Sequence, residues 1–61
     1  MKIIKLTNIK GKICCVNFSE VEYFEKHPSN DNLTMINFNH GSTCVQESPE
    51  EIYDKLYPIV D

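Results

Sequence analysis

Sixty-one residues fit a single domain, 1–61, and a small one: a chain this short buries only about 60% of the surface that its unfolded form exposes. A hydrophobic share of 41% and a charged share of 25% are ordinary for a globular domain. No run approaches the ~20 apolar residues of a membrane-spanning helix, so no membrane insertion is expected. Six lysines face nine acidic residues for a net charge of −3, and arginine is absent, which counts against nucleic-acid recognition through the planar guanidinium fork.

The chain opens MKIIKLTNIKGK, where lysines interrupt the apolar residues and no small-residue cleavage site follows. The expectation is a cytoplasmic protein with no secretory signal. Alanine and tryptophan are missing too, while asparagine, lysine and isoleucine are common, as in an AT-rich bacterial or phage genome.

Ile3–Thr7 is an apolar run that suits a first strand. Asn8 to Lys12 marks a turn, and Ile13–Phe18 is the returning strand, which makes a hairpin. Val21–Lys26 is a third strand; regular alternation places Val21, Tyr23 and Glu25 on one face and Glu22, Phe24 and Lys26 on the other. His27 to Asn32 is a loop: Pro28 holds His27 out of helical geometry and the Ser/Asn/Asp cluster favours local turns. Leu33–Phe38 and Ser42–Glu47 form a second hairpin around Asn39-His40-Gly41, with Gly41 free to take a positive φ. Ser48-Pro49-Glu50-Glu51 is a helix start, combining a serine cap, a proline in the first turn and a capping-box glutamate. The helix extends to Tyr57 or Pro58, with Ile52, Leu56 and Ile59 as its apolar stripe and Tyr53 and Val60 beside it. The predicted fold class is therefore α+β: a meander-like antiparallel sheet of four or five strands with one C-terminal helix packed on one face.

Cys14 and Cys15 are adjacent in a strand, so they face opposite sides and cannot share one metal while the strand is regular. Cys14 falls with Val16 and Phe18 on the more apolar side. Paired Cys-x-x-Cys spacings of zinc or redox sites are absent, and three is an odd number for a disulfide framework. The cysteines are read as small apolar residues. A zinc-stabilised adaptor using Cys44, His40 and Cys14 or Cys15 is an alternative. Glu20, Glu22 and Glu25 have no nucleophile or oxyanion hole near them in sequence, and the two glycines lie in turns. No catalytic residue, metal or cofactor is assigned.

The stretches IKLTNIKGKICCVNFSEVEYFE and LTMINFNHGSTCVQESPEEIYDKL resemble the small FlbD/SwrD-type family of bacterial flagellar operons. The matching positions are Ile4-Lys5-Leu6-Thr7, Gly11-Lys12, Asn17, Val21-Glu22, Phe24-Glu25, Asn39 and Glu47-Ser48 with Glu50 and Glu51. The chain departs from that pattern at Asn39-His40-Gly41, which adds a residue to the turn, and in its cysteines, which replace larger apolar residues. The hairpin-helix ending is also similar to the end of LytTR-type DNA-binding domains. The first resemblance implies a motility-related role and supplies no catalytic residue. The expected function is non-enzymatic: binding another protein, or a second copy in a homodimer, through an uncovered sheet face or an edge strand. Tyr23 and Phe38 are the candidate contacts, and each also suits the core. The rival is a nucleic-acid module using Lys2, Lys5, Lys10 and Lys12 as a phosphate strip.

Overall fold

A computed structural model describes residues 2–58. Five strands precede one helix: β1 (Ile3–Thr7), β2 (Ile13–Asn17), β3 (Val21–Lys26), β4 (Thr34–Phe38), β5 (Gly41–Val45) and α1 (Pro49–Leu56). The α+β class is as the sequence indicates. The single meander is not: β1–β2 forms one antiparallel sheet and β3–β4–β5 another.

The reason lies at the corner after β2. A meander would pair β2 with β3. Instead, Glu20 N–H donates to Asn17 C=O at 3.1 Å, and Ser19 N–H donates to Asn17 Oδ1 at 3.0 Å. These turns swing the chain away from β2. The Phe18 and Phe24 rings then meet edge to face across the corner, with centroids 5.8 Å apart. The two sheets touch along their other edges, where Asn8, just past β1, makes an isolated bridge to Val45 of β5. Gln46 extends that junction: its N–H donates to Thr7 C=O at 2.8 Å and its Nε2 to Asn8 C=O at 2.9 Å.

Both sheets bury one face on a common core. Ile4 and Leu6 of β1, Val16 of β2, Ile36 of β4, Val45 of β5 and Ile52 of α1 are its buried members. Cys14, Phe18, Val21, Phe24, Phe38 and Leu56 pack around them. Period-two alternation explains the β1–β2 members: Ile4 pairs with Val16 and Leu6 with Cys14 inward, while Ile3, Lys5, Ile13 and Cys15 face out.

Alternation fails in β3. Val21 pairs with Phe38 and Tyr23 with Asn37, which leaves Glu22 as an extra residue, a β-bulge. Val21 and Phe24 therefore both pack on the core, and Tyr23 turns outward. The expected shared face for Val21 and Tyr23 is corrected on this ground.

The turns follow their residues. At the β1–β2 tip Gly11 N–H donates to Asn8 C=O at 3.0 Å, and Gly11 takes φ 80°, the left-handed region that a glycine enters without strain. At the β4–β5 tip, Phe38 pairs with Gly41 around Asn39 and His40, and Gly41 takes the positive φ.

Past β5 the strand ends two residues before the predicted Glu47, which leaves the sheet to act as a clasp. The Glu47 carboxylate accepts from Thr7 N–H and from Thr7 Oγ1–H, both at 2.9 Å. Its carbonyl accepts from the buried Thr34 hydroxyl at 2.6 Å. Ser48 then caps α1 with the reciprocal bonds of a capping box to Glu51. The helix stops at Leu56, with Tyr57 N–H donating to Tyr53 C=O at 2.9 Å and Pro58 unable to extend the ladder. The stripe positions Ile59 and Val60 lie outside the described residues.

Candidate functional site

The corner that separates the sheets also opens a groove of about 290 Å³ between β3 and the end of α1. Phe18, Phe24 and Leu56, all half-buried, give it an apolar lining that continues the core. Tyr23 and Tyr57 stand on it at 55% and 64% exposure. Tyr53, also exposed, packs against Tyr57 with ring centroids 5.1 Å apart. Lys2 and Glu22 add one charge of each sign.

Each feature follows from a local cause. The bulge at Glu22 directs Tyr23 outward. The helical period does the rest: Ile52 and Leu56 face inward, and the next stripe, Tyr53 and Tyr57, is four residues apart on the exposed side. All three tyrosines of the chain are thus exposed; Tyr23 and Tyr57 line this groove, and Tyr53 adjoins it through Tyr57. The sequence-based candidate Tyr23 lies at the groove, whereas Tyr53, expected beside the helix's apolar stripe, is exposed. The i, i+4 spacing of Tyr53 and Tyr57 was the signal for the pair.

The other candidates are dispersed. Phe38 is half-buried against the core, stacked on His40 with centroids 5.4 Å apart and an interplanar angle of 20°, and it does not line the groove. Lys2 reaches the groove, Lys5 lies on the outer face of β1 opposite Cys15, and Lys10 and Lys12 flank the β1–β2 turn at the far end of the hairpin. The four lysines therefore spread along the hairpin.

Cys14 lies on the core side, Cys15 is exposed on the outer side, and Cys44 pairs with Met35 in the other sheet. Burial foremost, then the Glu47 carboxylate and the Cys15 thiol, raise the Cys14 pKa above its ordinary value. Among the described residues, no three His, Cys, Asp or Glu side chains come together to hold a metal ion, so Cys44, His40, Cys14 and Cys15 do not form a ligand set. His27 Nδ1 accepts Ser29 N–H at 3.0 Å within its loop. No helix among the described residues is long and apolar enough to cross a membrane. The chain matches no known family model, no curated protein and no solved structure.

Proposed function

We propose that this protein is a non-enzymatic interaction module that receives a segment of another protein chain in the groove between β3 and α1. One observation carries the reading: two exposed tyrosines, Tyr23 and Tyr57, line a groove floored by half-buried phenylalanines, and the exposed Tyr53 packs against Tyr57 beside it. Tyrosine offers a large contact area for little loss of side-chain freedom, and aromatic anchors dominate binding hot spots. The bulge at Glu22 interrupts the β3 edge, which disfavours strand addition there and favours docking of side chains into the groove. The resemblance to FlbD/SwrD-type proteins supports placing this interaction in bacterial motility.

The test is position-specific photo-crosslinking in cells that express the protein. A photoreactive phenylalanine analogue at Tyr23 or Tyr57 is expected to trap one protein species of fixed mass, while the same group at Ser29 in the β3–β4 loop traps none. A trapped mass of two copies would identify the partner as this chain itself. Equal, diffuse labelling from all three positions would remove the groove as an interaction site.

A further inference from the structure

Charge is segregated along the chain and hence between the sheets. Residues 2–17, the β1–β2 hairpin, carry Lys2, Lys5, Lys10 and Lys12 and no acidic residue. Residues 18–58 carry two lysines and eight carboxylates, from Glu20 to Asp54. An acidic protein thus presents one wholly cationic element. Glu47 is the carboxylate that reaches this hairpin, and both its oxygens are taken up by Thr7.

The same hairpin bears the exposed aliphatic surface. Among the described residues, the exposed large hydrophobic side chains are the three tyrosines and Ile3, Ile9 and Ile13, the last two at 61% and 74% exposure. Ile9 and Lys10 form the turn, and Lys12 and Ile13 lead out of it. On the outer face, Ile13 is paired with Thr7 and so lies diagonal to Lys5, which is paired with Cys15. Isoleucine and lysine are therefore interleaved at the tip.

Four backbone N–H groups of the tip are already bonded within it. The N–H groups of Asn8 and Gly11 bond to Lys12 C=O and Asn8 C=O, and those of Lys10 and Lys12 bond to Asn8 Oδ1, all at 2.8–3.0 Å. Free amides are costly to move into a less polar medium, and these four are not free.

We infer that the tip of the β1–β2 hairpin docks on an anionic lipid surface, with Ile9 and Ile13 entering the headgroup–acyl boundary and Lys5, Lys10 and Lys12 lying against the lipid phosphates. Interfacial binding of this kind combines buried apolar area with attraction to anionic headgroups. Nucleic acid fits the hairpin less well. A phosphate strip gains from arginine and from stacking aromatics, residues 2–17 hold neither, and exposed isoleucines contribute nothing to it. The mode is adsorption of a tip onto one leaflet and leaves the groove free.

Co-sedimentation of the full chain with vesicles tests this. On equal parts phosphatidylglycerol and phosphatidylcholine at low salt the protein is expected to pellet; on phosphatidylcholine alone it stays in solution, and added salt weakens the anionic case. Lys10→Gln with Lys12→Gln lowers partitioning about 25-fold, at roughly fivefold per lysine. Ile9→Ser with Ile13→Ser also lowers it, with every charge unchanged. All four side chains are exposed, so circular dichroism and the melting midpoint are expected to match the parent. Absence of pelleting on the anionic vesicles at low salt overturns the inference. So does pelleting indifferent to the isoleucine change and accompanied by steeply salt-dependent binding to random duplex DNA, which would make the hairpin a polyanion contact.

Discussion

At the scale of single residues, Glu47 and Cys14 show what a sequence reveals and what it conceals. The inward placement of Cys14 was legible, because its neighbours Val16 and Phe18 form the apolar half of an alternating run. Its raised pKa has a pH consequence. A thiol that holds its proton more tightly in the folded state leaves stability intact below the unfolded thiol's pKa, about 8.5, and lets it fall as pH rises from there towards the folded value. Cys14 is thus expected to be alkylated more slowly than exposed Cys15, and its rate to climb only at a pH above that of a free thiol. Mass spectrometry of iodoacetamide-treated protein across pH checks this, and equal rates for the two would contradict it. Glu47 was illegible. It read as the end of a strand, and its partner Thr7 is 40 residues away. Glu47→Ala deletes two hydrogen bonds to a half-buried carboxylate and is expected to cost about 2–3 kcal/mol in urea unfolding. Loss of under ~0.5 kcal/mol would show that solvent replaces both bonds.

At the scale of elements, strand and helix positions were legible and their bounds shifted by a residue or two, since apolar period and caps are local signals. The capping box at Ser48 and the two glycine turns stand as read. The bulge in β3 was not legible. Nothing in Val21-Glu22-Tyr23-Phe24 announces an extra residue; the bulge arises because Val21 and Phe24 are both drawn to one core. This makes Glu22 removable in a specific sense. Deleting it joins Val21 directly to Tyr23 and yields a regular strand with Val21 and Phe24 still inward. The deletion variant is expected to fold, and to self-associate more than the parent, because its edge becomes continuous. Sedimentation velocity over a concentration series reads both outcomes. An unfolded or strictly monomeric variant would refute the protective role given to the bulge.

At the scale of the whole molecule, the split into two sheets was hidden for a related reason. Whether β2 pairs with β3 depends on how the chain turns a corner; the local turns at Asn17 start that corner, but its direction also rests on packing between Phe18, Phe24 and the core, which no local pattern shows. The groove was hidden with it, since it exists only where that corner meets the end of α1. Tyr23 could be proposed as a contact from sequence, but its neighbours at the site could not. The charge separation was visible as a lysine-rich start, yet its meaning changes once those residues are seen to form a sheet of their own with isoleucines at its tip.

The Thr7–Glu47 clasp also bears on the order of folding events. The two tight hairpins close short loops, whereas the clasp closes one of 40 residues, and loop closure of that length must be met before the contact rewards it. The clasp is therefore expected to form after the rate-limiting step. Glu47→Gln is expected to leave the refolding limb of a chevron plot in place and to raise the unfolding rate, by about fivefold for each 1 kcal/mol lost. A slowed refolding limb would instead place the joining of the two sheets within the nucleus.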